Sequence, residues 1–194
     1  IRDERQRMLT EGTLRMKNIK VNTVIFKGED GLYYEKSQGK VRCVQEEIPF
    51  ELPEGWEWCR LGSLFRTVTG NTPPTGNIEF YSGEYPFYKP SDLDKGFTVD
   101  SAAETVTQEG FLQGHTAPSD SVLVTCIGTV GKTGYIRKEG IFNQQINAIL
   151  PNRMISPDYT YFSMCADYMQ KQIKANSSSA TMPILNKTKF DNLL

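Results

Sequence analysis

The stretch from Ser121 to Leu150 reads SVLVTCIGTVGKTGYIRKEGIFNQQINAIL. Its apolar runs are rich in Val and Ile, at Val122 to Ile127, Tyr135 with Ile136, and Ile146 to Leu150, and glycine-containing breaks separate them. Short apolar runs bounded by glycine are typical of buried or half-buried strands joined by tight turns. The stretch therefore predicts adjacent strands that share one sheet.

Polar side chains occupy the connections between these strands. Hydroxyl, carboxamide and ammonium groups displayed from loops on a rigid sheet are the groups that hydrogen-bond phosphates and base edges. A plainer interpretation, that they cap turns and face solvent, stands beside it. The residues are Thr125, Thr129, Lys132 and Thr133 on the first connection, and Asn143, Gln144, Gln145 and Asn147 on the second.

The segment Cys126 to Thr133, CIGTVGKT, comes close to a phosphate-binding loop, G-x-x-x-x-G-K-[ST]. Cys126 stands where the first glycine is required, and the motif needs a helix directly after its lysine. Here Lys132 is followed by Gly134, Tyr135 and Ile136, which is a strand pattern. A P-loop-like nucleotide-binding enzyme is therefore an alternative that we do not favour, and magnesium-dependent nucleotide binding would identify it.

Composition is that of an ordinary globular protein, with 38% hydrophobic and 23% charged residues in 194. No apolar run approaches the ~18 residues that span a bilayer, so we expect a cytoplasmic chain without membrane contact.

The four cysteines contain no C-x-x-C pair and His115 is the only histidine, which excludes the common zinc spacings and favours reduced thiols. Residues 121–194 carry a net charge of +4 and residues 1–120 of −5, and an acid-poor half is compatible with a nucleic-acid face.

Extended segments dominate the first part of the chain. VNTVIF, LYYEK and KVRCV, separated by the turns KGEDG and SQG, predict a β-meander arm, and EEIPFELPEGW predicts an extended linker. Trp56 and Trp58 alternate with Glu57, so we expect both indoles on one side of a strand and in the core.

Helices are predicted at Thr107 to Gly114 and, more clearly, at Ser156 to Ala175. Ser156 is a natural N-cap and Pro157 suits the first helical position. Apolar residues repeat on one face of this second helix, at Phe162, Cys165, Met169 and Ile173. Together the patterns predict an α/β (α+β) fold: a mixed, largely antiparallel β-sheet domain with packed helices and an N-terminal β arm.

Taken together, these segments resemble one family, the target recognition domain of the specificity (S) subunit of type I restriction-modification systems. The resemblance covers nearly the whole chain in the right order. Its segments are FKGEDGLYYEKSQGKVRCVQEEIPFELPEGWEWCRLGSL, TGNTPP, YPFYKPSDL, DSVLVTCIGTVGKTGYI, FNQQINAIL and ILNKTKFDNLL. It implies the end of a preceding helix at 1–20, a β-hairpin arm and linker at 21–50, and a DNA target recognition domain at 51–194, truncated at the start of a spacer helix. The absence of an initiating methionine at Ile1 likewise suggests a fragment.

The resemblance also implies what the chain does and with whom. It would read one half of a bipartite target on double-stranded DNA and direct methyltransferase (M) subunits and, through them, restriction (R) subunits. S-adenosylmethionine, ATP and magnesium would bind those partners, and this chain would bind no cofactor itself. The sequence has no [DNS]-P-P-[YF] motif and no cluster of carboxylates with a lysine for metal-assisted cleavage, so we expect no catalysis by the chain alone. A β-rich protein- or glycan-binding module is a further alternative, and its binding would not weaken with salt.

The resemblance places DNA beside the polar loops. We predict phosphate contacts chiefly from Lys89 and Lys132. Asn143, Gln144 and Gln145 are predicted to read bases, because a carboxamide offers the donor and acceptor that adenine recognition requires. The full set of predicted DNA-binding residues is Thr72, Lys89, Ser91, Asp92, Thr125, Thr129, Lys132, Thr133, Asn143, Gln144, Gln145, Ser178, Ser179 and Thr181.

Overall fold

A computed structural model describes residues 23–177 and 181–194. The chain divides into two compact units, one formed by Ile1–Arg66 with Asp191–Leu194 and the other by Thr67–Phe190. The helix end predicted within residues 1–20 lies outside the described residues. Among the residues that are described, no helix is long and apolar enough to cross a membrane. The four cysteine thiols are all free.

The first unit contains the predicted β-meander. Strands β1 (Thr23–Lys27), β2 (Tyr33–Ser37) and β3 (Lys40–Cys43) form one antiparallel sheet in chain order, which confirms the arm. A short 3-10 helix, Gln45–Glu47, and a single turn of α-helix, α1 (Leu61–Leu64), follow.

A buried ionic network holds this unit together. The Arg60 guanidinium, 3% exposed, donates from Nε and Nη2 to the two carboxylate oxygens of Glu35, 4% exposed, over 2.9 and 3.0 Å. Arg60 also donates to the Glu47 carboxylate at 2.7 Å and, through Nη1, to the Asn192 carbonyl at 2.9 Å. Because a buried charge is costly unless it is paired and hydrogen-bonded, this one arginine ties β2, the 3-10 helix and the last residues into one unit.

The two tryptophans do not share one environment. Trp58 is buried and packs edge-to-face against Phe50, with ring centroids 5.1 Å apart, whereas Trp56 is 56% exposed. The prediction of two core indoles is wrong for Trp56, because residues 56–58 form no strand and side chains two apart are not held on one side.

The second unit contains two four-stranded sheets. Its strands in chain order are β4 (Thr67–Thr69), β5 (Tyr81–Tyr88), β6 (Glu104–Val106), β7 (Thr116–Ala117), β8 (Val122–Thr125), β9 (Thr133–Tyr135), β10 (Gly140–Phe142) and β11 (Ile146–Ile149). One sheet has the order β6-β5-β10-β7 and the other β4-β11-β8-β9. Only β5 and β10 run parallel, which confirms the mixed, largely antiparallel fold. The strands predicted between Val122 and Leu150 do share one sheet.

Alternation along the strands separates two layers of core. Tyr88 and Phe142 point into the main cluster, which they share with Leu123 and Ile146 of the other sheet. Their preceding neighbours, Phe87 and Ile141, point the opposite way, into a smaller cluster beside Phe111 of helix α2 (Gln108–Gln113). This period of two is what places the main cluster between the two sheets.

The long helix predicted from Ser156 to Ala175 is two helices, α3 (Pro157–Cys165) and α4 (Asp167–Asn176), and the last helix is α5 (Lys187–Asp191). Ala166 separates α3 from α4 with an extended backbone, φ −61° and ψ 144°. Because of this break, the buried face of α3 is not the one predicted for a continuous helix. Phe162 is 59% exposed and Cys165 is also exposed, while Thr160 and Met164 are buried and α3 packs against β8 and β9.

A glutamine holds the break in place. The Gln170 side-chain amide donates to the Met164 carbonyl at 2.7 Å, near the end of α3, and to the Gly131 carbonyl at 2.9 Å, in the loop before β9. The carbonyls at a helix end need such a donor. One carboxamide therefore caps α3 and anchors the loop to the helices.

The first prediction concerns the buried arginine. Arg60→Met leaves Glu35 buried without its two-point partner, so we expect the free energy of unfolding of the full chain to fall by about 3 kcal/mol in urea denaturation at pH 7.

The same network makes stability depend on pH. Burial acts to raise the pKa of Glu35, but the guanidiniums of Arg60 and Arg42 together outweigh burial and hold that pKa below its ordinary value. Because the pKa is lower in the folded state, this stability is complete above the ordinary pKa of Glu and is lost as the pH falls through the lowered value. Glu35→Gln should remove that acid sensitivity, and an unchanged profile would contradict the assignment.

The second prediction concerns Gln170. Gln170→Leu introduces an apolar side chain of similar reach. Met164 O loses its side-chain donor, and Gly131 O loses one donor while it keeps the Thr133 hydroxyl, so we expect a loss of about 1–3 kcal/mol in unfolding free energy. Hydrogen exchange should quicken at Gly131 and Lys132, because their loop loses its anchor. Gln113→Leu, at an exposed helical position, is the control and should change stability by less than about 0.5 kcal/mol. Equal effects from the two changes would show that the Gln170 contacts contribute nothing.

Candidate nucleic-acid interface

In the Thr67–Phe190 unit, both sheets direct their polar connections to the same edge. In the first sheet β5 and β10 are parallel, with Phe142 opposite Tyr88, so both strands end at this edge. Strand β7 runs antiparallel to β10, with Thr116 opposite Ile141, so it begins there and His115 lies at its entrance.

The second sheet reaches this edge by its own pairing. Ile146 is opposite Thr125, Asn147 is opposite Thr69, and Thr133 is opposite Val124. The ends of β4 and β8 and the beginnings of β9 and β11 therefore lie together. The connection from β10 to β11 passes from one sheet to the other at this edge. We call the loops that meet here the common edge; it consists of residues 70–72, 89–92, 113–115, 126–132, 143–145 and 181–185.

Backbone hydrogen bonds join these loops into one surface. The amide of Gly70 donates to Ile146 O and the amide of Asn71 to Phe142 O, each at 3.0 Å. A Cβ at Gly70 would clash with the carbonyl oxygens of Phe142 and Asn143, so only glycine permits this approach. The amide of Cys126 donates to Gln145 O at 2.6 Å, and the amide of Leu185 donates to Cys126 O at 2.9 Å.

Within the β10–β11 connection the three carboxamides have different positions. Asn143 is 7% exposed; its Nδ2 donates to Gln145 Oε1 and its Oδ1 accepts from the Gln145 amide, both at 3.1 Å. Gln144 is exposed, and its Oε1 accepts from the Thr72 hydroxyl at 2.6 Å. The bonds of Asn143 shape the turn, and Gln144 is the carboxamide that the turn presents outward.

Besides Asn143, three of the predicted DNA-contacting side chains are buried and bonded inside the protein. The Asp92 carboxylate, 4% exposed, accepts from the amides of Lys89 and Ala103, each at 2.8 Å. The Thr125 hydroxyl is fully buried between Thr129 O and the Lys132 amide, and the Thr133 hydroxyl donates to Gly131 O at 3.0 Å. We therefore give Asp92, Thr125 and Thr133 a role in shaping the loops and revise the contact set to exclude them.

Both lysines of the common edge are paired with carboxylates. Lys132 Nζ lies 2.6 Å from Asp94 Oδ1, with 26% of the lysine side chain exposed. Lys89 pairs with Glu104 and lies over the Phe87 ring, 5.3 Å from its centroid. An anionic ligand would have to compete with these carboxylates for each ammonium group.

The loop from Cys126 to Lys132 does not have the arrangement of a phosphate cradle. Gly128 and Gly131 have φ of +76° and +90°, and the chain continues into β9 rather than a helix. Its backbone amides are used internally: Gly131 donates to Thr125 O at 2.9 Å, and Gly128 donates to Pro183 O at 3.0 Å. Such a cradle needs converging amides that are open to a ligand. The geometry therefore does not favour the nucleotide-binding alternative.

The remaining predicted residues divide by position. Ser91, Thr129 and Thr181 are exposed on the common edge, while Ser178 and Ser179 lie outside the described residues. Within the part of the chain that the structure describes, no group of His, Cys, Asp and Glu is arranged to hold a metal ion.

The list of predicted contact residues lacks three residues of the edge, Asn71, Gln113 and His115. The Asn71 carboxamide accepts from the His115 amide at 2.6 Å and donates to Gln113 O at 2.8 Å. The one feature of the sequence that could have pointed to this part of the edge is the segment Gln113-Gly114-His115 just before the short strand β7, because it contains the lone histidine.

Comparison with known proteins is consistent with this architecture. A family model described as "Type I restriction modification DNA specificity domain" matches residues 53–193. The chain belongs to this family. The matched region contains every loop of the common edge, so the surface lies within the specificity domain.

A relative supports the family assignment, and solved structures share the fold. The chain is similar to the type I restriction enzyme HindI specificity subunit of Haemophilus influenzae, 32% identical over 145 residues that make up 73% of this chain and 32% of the relative. Among solved structures it resembles the HsdS subunit of Thermoanaerobacter tengcongensis, with a TM-score of 0.57, 18% identity, and coverage of 74% of this chain and 33% of that one. A chain from a study of complex assembly and conformational transition of the type I R-M system gives a TM-score of 0.59, 20% identity and coverage of 74% and 34%. The specificity domain described here thus spans about a third of the length of these proteins.

Proposed function

We propose that this specificity domain is a sequence-specific reader of double-stranded DNA that recognises one half of a bipartite target through the common edge. The observation that carries the proposal is the convergence of loops 70–72, 126–132 and 143–145 on one edge of two packed sheets. Rigid strands position these loops, and loops on a rigid scaffold are where binding groups concentrate. Family membership supports DNA as the ligand.

Within this surface, Gln144 is the proposed base-reading carboxamide. Its side chain is exposed, and the Thr72 hydroxyl restrains its oxygen at 2.6 Å. A restrained carboxamide offers one donor and one acceptor side by side, the pattern that matches adenine N7 and N6 in the major groove. Restraint before binding also lowers the entropy lost on recognition.

Lys132 and Lys89 are the proposed phosphate contacts. Each ammonium group is paired with a carboxylate, Asp94 or Glu104, so a DNA phosphate would exchange one anionic partner for another. Exposed ion pairs of this kind contribute little stability, so the exchange is not prohibitive. The pairing lowers the general attraction for DNA and gives more weight to base contacts.

The wider assignment is part of the same proposal. The chain would be a non-catalytic component that directs methyltransferase subunits and, through them, restriction subunits in the cytoplasm. S-adenosylmethionine, ATP and magnesium would be bound by those partners. Strong salt dependence of binding would distinguish DNA recognition from binding to a protein or glycan.

The third prediction tests the lysines in the intact subunit assembled with its methyltransferase partner. Lys132→Ala should weaken binding to all DNA sequences similarly and make the log–log salt slope shallower by about one, because one phosphate contact is lost. Asp94→Asn should strengthen binding to all sequences, since it removes the competing carboxylate. Lys138→Ala, in the turn at the opposite edge, is the matched control and should leave the affinity and slope unchanged. A loss confined to one base pair would contradict the phosphate role.

The fourth prediction tests the carboxamide. Gln144→Ala should cost on the order of 1–3 kcal/mol of binding to the preferred sequence and relax preference at one position, as selection of bound DNA would show. Thr72→Val should relax the same position to a smaller degree, because it only releases the carboxamide. If alanine at Asn143, Gln144 and Gln145 together leaves both affinity and base preference unchanged, this connection does not read bases.

A further inference from the structure

His115, the only histidine of the chain, lies at the common edge, and hydrogen bonds fix both its ring and its backbone. Its ring is exposed, yet Nδ1 lies 2.7 Å from the carbonyl oxygen of Thr69 at the end of β4. Its backbone amide donates to Asn71 Oδ1 at 2.6 Å, and the same Asn71 side chain donates to Gln113 O at 2.8 Å. An exposed imidazole is thus held at both its ring and its backbone.

The contact with Thr69 decides the chemistry of the other ring nitrogen. A carbonyl oxygen only accepts, so Nδ1 carries the hydrogen and donates it. In the neutral ring this leaves Nε2 as a hydrogen-bond acceptor. Among the described residues, Nε2 has no hydrogen-bond partner.

His115 also lies beside the proposed base-reading carboxamide. Asn71, which holds the His115 amide, is followed directly by Thr72, whose hydroxyl restrains Gln144. The amide of Asn71 donates to Phe142 O at 3.0 Å, at the start of the connection that carries Gln144. The fixed imidazole and the fixed carboxamide are therefore adjacent parts of one surface.

We propose that His115 is a base-reading residue whose Nε2 accepts a hydrogen bond from an exocyclic amino group in the major groove, N6 of adenine or N4 of cytosine. These amino groups are the donors that the major-groove edges of the bases present, and an acceptor held in place distinguishes them from the carbonyl oxygens of thymine and guanine. The assignment rests on the proposed function, because it takes DNA as the ligand of the common edge.

Two substitutions separate the reading role of His115 from a structural one. His115→Asn places an amide nitrogen near the position of Nδ1, which retains donation to Thr69 O but leaves no group at Nε2. His115→Gln places its carboxamide near the position of Nε2 and gives up the Thr69 contact. Thermal unfolding should show that His115→Asn is as stable as the unaltered protein.

The binding experiment uses the intact subunit with its methyltransferase partner and its selected DNA target. We expect His115→Asn to weaken binding to that target roughly 5- to 150-fold, to leave the salt slope unchanged and to relax preference at one base pair that prefers adenine or cytosine. His115→Gln should recover part of the preference, because its oxygen can accept from the same amino group.

A base analogue completes the test. Target DNA in which that adenine is replaced by purine, or that cytosine by 2-pyrimidinone, lacks only the amino group. The unaltered protein should bind the analogue as weakly as His115→Asn binds the natural target, and the two changes together should cost no more than either alone.

The outcomes distinguish the inference from the function on which it rests. Additive losses from the variant and the analogue, an unchanged base preference in His115→Asn, or a uniform loss with a shallower salt slope would each overturn the role of His115, while DNA reading by the edge would stand. If the unaltered assembly shows no base preference at all, the proposed function fails and the inference fails with it.

Discussion

The structure of the second unit depends on the connection between Phe142 and Ile146, where the chain leaves one sheet and enters the other. Backbone hydrogen bonds from three neighbouring segments fix this connection. Asn143 N donates to Tyr88 O at 3.1 Å, and Cys126 N donates to Gln145 O at 2.6 Å. The amides of Gly70 and Asn71 donate to the carbonyl oxygens at its two ends. The buried Asn143 carboxamide closes the turn from within. Because one short connection belongs to both sheets, its geometry fixes how their polar loops meet at a single edge.

The same connection links a requirement of the fold to the proposed recognition surface. A turn that must cross between sheets carries buried polar groups, and these have to be hydrogen-bonded. Satisfying them with carboxamides and backbone groups makes the turn rigid, so Gln144 is presented from a fixed base with the Thr72 hydroxyl beside it. His115 is held in the same way by Thr69 and Asn71. The specificity domain thus offers hydrogen-bonding groups whose positions are set before any ligand arrives.

Apolar runs broken by glycine located strands β8, β9 and β11, which share one sheet. They did not predict β10, which lies between β9 and β11 in the chain but belongs to the other sheet, and they did not predict the details of the site. The break at Ala166 was not predictable, because it depends on Gln170 reaching Met164 and the distant Gly131. The burial of Thr125 and the pairing of Lys132 with Asp94 are likewise set by tertiary contacts. His115 was passed over because its partners, Thr69 and Asn71, come more than forty residues earlier in the chain.

Hydrogen exchange with and without the selected DNA target shows whether DNA binds at the common edge. In the intact subunit with its methyltransferase partner, we expect DNA to slow exchange in segments 70–72, 113–116, 126–132 and 143–146. The connections at the opposite edge, 118–121 and 136–139, join the same strands and serve as an internal reference, so their exchange should not change. Protection at the opposite edge, with exchange at the common edge unchanged, would show that DNA binds elsewhere.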